Sequence, residues 1–221
     1  GRGFQTFDHG HHLWATAWYL LGKVERVSAW IDSLDGIIDA PATVMWQHEN
    51  AVCYGMCEYA HCAEMNIPSK YYANDEWIEV SGSRGIIQIR RCTGNIHAGP
   101  VLRLFDGHRW ADFADVKDDW REGFIGATEN FIHSILGEAQ PVLSGDQGRD
   151  ILKLTLAIAK SARLRREIYV DELDARLPWL YRHKRIRARK KAAALASGRR
   201  LFSRFGKKEA RLAGMAADLT E

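Results

Sequence analysis

Trp77-Ile78-Glu79-Val80-Ser81-Gly82-Ser83-Arg84-Gly85-Ile86-Ile87-Gln88-Ile89-Arg90-Arg91 reads as two strands folded back on a tight turn. β-Branched and aromatic residues fill both arms, and turn formers bracketed by Gly82 and Gly85 join them. The same grammar extends in both directions. Upstream, Arg26–Asp32 reads as a strand, and Thr43–His48 and Ala51–Met65 as a hairpin around Glu49-Asn50, ended by Pro68. Downstream, Val101–Phe105 and Arg109–Phe113 form a third hairpin turned at Asp106-Gly107-His108. Successive hairpins with no helix between them make an antiparallel meander. The period then changes. Phe124, Ala127, Phe131, Ile132 and Ile135 follow helical spacing up to Gly137, and Ile151, Leu154, Thr155, Ile158 and Ala162 repeat it. A short last strand follows at Ile168–Val170. The expected fold class is α+β, a long, mostly antiparallel open sheet with helices packed on one face. The other face must be covered or must bind something.

A second stretch carries chemistry. Phe7-Asp8-His9-Gly10-His11-His12-Leu13 opens an apolar helix over about residues 9–21, closed by Gly22. Asp8 and His12 stand at i and i+4, on one face of a helix. A carboxylate there can fix the tautomer of the imidazole and raise its proton affinity, which makes a general base for an alcohol. The plainer reading of Asp8 is a helix cap. His11, about 100° around the helix, is the second choice for the base, or a substrate contact. Arg91, at the end of a strand, could bind a substrate carboxylate or phosphate. Lys70-Tyr71-Tyr72 could line a pocket or a subunit interface, although an edge strand is the simpler assignment.

Asp8-x-Gly10-x-His12, the helix ending Leu20-Leu21-Gly22, and Val24-Glu25-Arg26-Val27-Ser28-Ala29 resemble the start of the second domain of the glucose–fructose oxidoreductase, inositol dehydrogenase and rhizopine-catabolism family (Gfo/Idh/MocA). Ile78–Ile87 resembles that family's central strand–turn–strand. Phe131-Ile132, Ile135, Gly137, Pro141, Gly145, Gly148, Ala157, Ser161, Ala162 and Val170 resemble its closing helices and last strand. The likeness covers roughly residues 1–172. It implies that Asp8 and His12 belong to a catalytic set for NAD(P)-dependent oxidation of a sugar, inositol or related polyol. It further implies a cytoplasmic homo-oligomer joined through the open sheet face. A sugar-sensing regulator and an NAD-dependent glycosidase on the same fold are the alternatives. The chain begins at Gly1, directly on the motif, so it is expected to be a fragment whose dinucleotide domain lies upstream.

Several classes are set aside on residue pattern. No stretch of about 18 apolar residues occurs, so no membrane-spanning helix is expected. No G-x-G-x-x-G is present. Gly82-Ser83-Arg84-Gly85 joins two strands, whereas a phosphate-binding turn precedes a helix, and Gly145-Asp146-Gln147-Gly148 has an acidic residue and no Lys. No cofactor-binding residue and no metal ligand is assigned. Cys53, Cys57 and Cys62 lack zinc spacing and read, with Cys92, as buried reduced thiols. The net charge of +3 is unevenly spread. Residues 175–221 hold 14 Lys/Arg against 3 Asp/Glu, while residues 1–174 hold 17 against 25. Residues 1–174 are expected to form the folded domain. Residues 175–221 are expected to be a solvated, partly helical or disordered basic tail with no nucleic-acid role.

Overall fold

Val27, Ala29 and Ile31 recur at every second position, as do Val44 and Trp46, the period that puts them on one face of each strand. In the computed structural model, which describes residues 4–33, 38–50, 52–62, 64–72, 74–93, 96 and 98–174, these residues form the centre of a sheet. The elements in chain order are α1 (Gly10–Leu21), β1 (Val24–Ile31), β2 (Ala42–His48), β3 (Tyr54–Tyr59), β4 (Asp75–Gly82), β5 (Gly85–Cys92), β6 (Leu102–Phe105), β7 (Trp110–Phe113), α2 (Trp120–Ile135), α3 (Gly145–Leu164) and β8 (Ile168–Tyr169). A π-helical turn, Phe4–His9, precedes α1, and a 3₁₀ turn, Val170–Leu173, follows β8. The described residues divide into two units, one from residues 4–61 with 146–174 and the other from residues 62–145. The basic 175–221 segment lies outside the described residues.

The α+β class and the antiparallel pairing hold, but the strands fall into two four-stranded sheets. Their orders are β3-β2-β1-β8 and β4-β5-β6-β7. The expected strand Ala51–Met65 shortens to β3, Tyr54–Tyr59. Beyond it the alternation lapses, and Pro68 has no amide to give to a ladder.

In the first unit one sheet face is buried. The rows Val27–Trp46–Gly55 and Ala29–Val44–Cys57 lie side by side across β1, β2 and β3. They pack with Trp14 of α1 and Ile151, Leu154, Ala157 and Ile158 of α3 in one core. Ser161 ties α3 to β1, since its hydroxyl accepts from the Ala29 amide at 3.0 Å and donates to Arg166 O at 2.6 Å. The opposite sheet face is open, with Trp30, Met45, Tyr54 and Met56 all exposed.

An ion cluster closes this unit. Arg166 and Lys160 both reach Glu172, at 2.8 and 3.2 Å. The Arg166 guanidinium, then the Tyr169 amide and Lys160, hold the Glu172 carboxyl at about 2. A carboxyl depressed in the folded state stabilises above its unfolded value of 4.5 and loses that contribution as pH falls through about 2. Between pH 4.5 and 2, the melting temperature of the parent protein should therefore fall more steeply than that of Glu172→Gln. Parallel slopes over that window would refute the clamp.

In the second unit, β4 and β5 close on Gly82 and Gly85, with Ile78 opposite Ile89 and Val80 opposite Ile87. Asp119 caps α2, accepting from the Arg121 amide at 2.9 Å. Tyr71 and Lys70 donate to the same carboxylate at 2.8 and 3.1 Å, and the Tyr71 and Tyr72 rings pack against Trp120. The Arg121 amide, with Tyr71 and Lys70, holds the Asp119 carboxyl well below the usual range. Residues 70–72 thus form a loop anchoring the start of α2, not the edge strand expected.

Candidate active site

Asp8 and His12 stand one turn apart on a single helical run. Asp8 lies in the π-helical turn and His12 in the first turn of α1, so the change of pitch falls between them. Both side chains are exposed, as is that of His11. The His11 and His12 rings lie 4.0 Å apart between centroids, tilted by 37°. His11 Nδ1 sits 3.3 Å from Phe7 O. A carbonyl can only accept, so Nδ1 is the donor in this contact, which ties the ring back along its own helix.

The capping reading of Asp8 gives way to a different residue. The helical run continues through Asp8 to Phe4, and the start of α1 at His9 has no side-chain cap. The carboxylate that receives the amides at the start of the run is Asp39, from the β1–β2 loop. It accepts from Gln5 N at 2.6 Å and Thr6 N at 3.0 Å, and from the Thr6 hydroxyl. Asp39 and Thr6 are both buried.

Beneath the run, two indoles are held edge to face. Trp14, 1% exposed, donates from Nε1 to Thr6 O at 3.3 Å. Gly10 lets it lie there, because a Cβ at that position would come within 2.9 Å of Nε1. Trp14 meets Trp46 at 5.7 Å between centroids. Trp46 in turn covers Gly55 so closely that a Cβ there would overlap the indole. Its Nε1 donates to His48 Nε2 at 3.0 Å, and His48 Nδ1 lies 2.8 Å from Gly22 O. The indole can only donate, so His48 is neutral, with its proton on Nδ1. Fully buried and satisfied at both nitrogens, His48 joins the end of β2 to the end of α1.

The other expected site residues fall elsewhere. Arg91 is in β5 opposite Glu76, in the second unit, and its side chain lies outside the described part of the structure. Of the cysteines, Cys57 packs against the core, Cys53 is half-buried and Cys62 is exposed. The expectation of buried thiols therefore fails for Cys62, which lies past the end of β3, and is met only in part by Cys53 and Cys57, each half-buried. The Cys92 side chain lies outside the described part. Among the described residues no group of three His, Cys, Asp or Glu is placed to hold a metal ion. No described helix is long and apolar enough to cross a membrane. An open cleft of about 760 Å³ lies beside the end of β1, lined by Trp30, Thr43, Ser161, Arg165 and Arg166 among others. It does not include Asp8, His11 or His12.

No family model matches the chain, and no curated protein does. Solved structures do. A levoglucosan dehydrogenase in complex with NADH superposes with a TM-score of 0.58 at 16% identity, over 74% of this chain and 49% of that one. The WlbA dehydrogenase of Bordetella pertussis, in complex with NADH and UDP-GlcNAcA, gives 0.53 at 20%, over 76% and 45%. An aldose-aldose oxidoreductase of Caulobacter crescentus, with glycerol, gives 0.54 at 21%, over 72% and 45%. The chain spans about half the length of each. By its fold it is thus an α+β domain of the kind that forms one part of larger oxidoreductases. The α+β class and antiparallel pairing expected from the motifs are those observed, with the strands in two sheets rather than one.

Proposed function

We propose that this chain is the substrate and oligomerisation domain of an NAD(P)-dependent oxidoreductase acting on a CH–OH group of a sugar, inositol or related polyol. The observation that carries this reading is Asp8 and His12 exposed one turn apart on a helical run, on a fold whose solved examples include sugar dehydrogenases with NADH. His12 takes the hydroxyl proton of the substrate and Asp8 orients the imidazole and favours its charged form. Bound NAD(P) would supply the acceptor for the hydride that leaves the carbon bearing that hydroxyl. His11 lies beside His12 as a substrate contact, and Arg91 is kept as a candidate for an anionic substrate group.

The residues of this chain fit only part of such a site. Its glycine-bracketed turn, Gly82–Gly85, joins antiparallel strands, and α3 opens on Gly145 and Asp146. Neither is a cradle for dinucleotide phosphates. The proton-handling side belongs to this chain, and the dinucleotide belongs mainly to a domain outside it. The direct test is reduction of NAD⁺ or NADP⁺ by the full-length protein with a panel of aldoses and inositols. Turnover of at least one of them is expected. Sugar binding with no turnover on any would favour the sensor alternative.

The open face of the first sheet is the proposed contact between copies. Trp30, Met45, Tyr54 and Met56 are 50–67% exposed on one face, and apolar patches of that kind mark interaction sites. Light scattering at micromolar concentration should report a multiple of the chain mass, and Met45→Glu with Met56→Glu should reduce it. A monomer in the unaltered protein would rule the contact out.

A further inference from the structure

The catalytic reading leaves open what holds Asp8 and His12 in register. A π-helical turn is uncommon and is not favoured by its own hydrogen bonding. It persists where the surroundings over-determine it. Here the turn is fixed at Thr6 from two sides. Asp39 receives the Thr6 amide and hydroxyl together with the Gln5 amide, and Trp14 donates to the Thr6 carbonyl. Asp39 is 8% exposed and Thr6 5% exposed, so these are desolvated, charge-assisted bonds, which are the strong kind. The negative charge also sits at the positive end of the helical run. Asp8 is two residues beyond Thr6, inside the turn, while His12 is past the change of pitch. Whatever sets the turn therefore sets the angle between carboxylate and imidazole.

We infer that Asp39 is the positioning residue of the Asp8–His12 pair, acting through the π-helical turn rather than on substrate. The inference rests on the catalytic reading above. It differs from a purely structural role in one respect: it requires the His12 ring to respond when Asp39 is changed.

The test uses the full-length protein with isotope-labelled histidine. The ring resonances of His12 are assigned by their loss in His12→Ala. Asp39→Asn keeps the size and one acceptor but removes the charge. It should move the His12 ring resonances while those of His108, in the other unit, stay in place. With the polyol that the protein oxidises, turnover should fall about 10–100-fold, the scale of a slight misplacement of reacting groups. The KM for the nicotinamide cofactor should change by no more than about twofold, because uniform binding is untouched. His12→Ala with Asp39→Asn should be no slower than His12→Ala alone, since residues acting as one unit do not add. If Asp39→Asn does not fold, Thr6→Val, which removes only the hydroxyl, is read in the same way.

Unmoved His12 resonances with turnover within about twofold of the parent would overturn the inference, as would losses that multiply. These results would leave the catalytic reading standing. If His12→Ala itself leaves turnover intact, the catalytic reading fails first, and this inference falls with it.

Discussion

Replacing His12 by alanine in the full-length protein is expected to lower turnover by about 10²–10⁴-fold, the usual worth of general acid–base catalysis. Nicotinamide-cofactor binding should be little affected, because the proposed function assigns the dinucleotide mainly to a domain outside this chain. Asp8→Asn should also slow turnover, since an amide neither favours the imidazolium nor fixes the tautomer as a carboxylate does. The two losses should not add. His11→Ala is the control that separates the neighbouring rings. His11 Nδ1 is engaged with Phe7 O, so its loss should cost less. A larger loss at His11 would reverse the assignment between the two. Full turnover in both alanine variants would remove the catalytic reading and leave a sugar-sensing protein as the better account.

Periodic features of the fold were legible in the sequence. The hairpin around Gly82–Gly85 forms where its alternation places it. The helices end near Gly22 and Gly137, both at positive φ, because a residue that tolerates that conformation marks the end of a helical period. The placing of Asp8 and His12 on one helical run was legible from their i, i+4 spacing; their role was suggested only by the wider resemblance.

Features without a period were hidden. Asp39 precedes Ala40-Pro41 and reads as an ordinary loop acid; nothing local reveals partners at Gln5 and Thr6. His48 sits at the end of an alternating strand and reads as a polar terminus, yet it is fully buried between Trp46 and Gly22 O. The π-helical turn was invisible too, because nothing in Phe4–His9 distinguishes it from the first turn of an ordinary helix. The break between the two sheets depends on where pairing lapses beyond Tyr59, and Pro68 alone does not say on which side. In each case the deciding partner is remote in sequence, and a sequence pattern carries local information.

The second large effect concerns Gly55 and the indole above it. Gly55→Ala is expected to destabilise the protein by about 2–3 kcal/mol, toward the upper part of the range for overpacking a filled site. The added methyl overlaps the six-membered and pyrrole edges of Trp46, at Cζ2, Cε2 and Nε1, so the indole must move. Its Nε1 is the donor to His48, and its ring packs edge to face with that of Trp14. Moving it leaves a buried histidine nitrogen unsatisfied and loosens the indole that holds Thr6. The cost therefore belongs to the pair rather than to the glycine. In a Trp46→Leu background, where the clash is gone and the His48 bond is already lost, Gly55→Ala should cost less than about 1 kcal/mol, a coupling of the size seen between touching residues. Denaturant unfolding of the four proteins measures it. Equal costs in the two backgrounds would show that Gly55 is required by the backbone of β3 and not by the indole that lies across it.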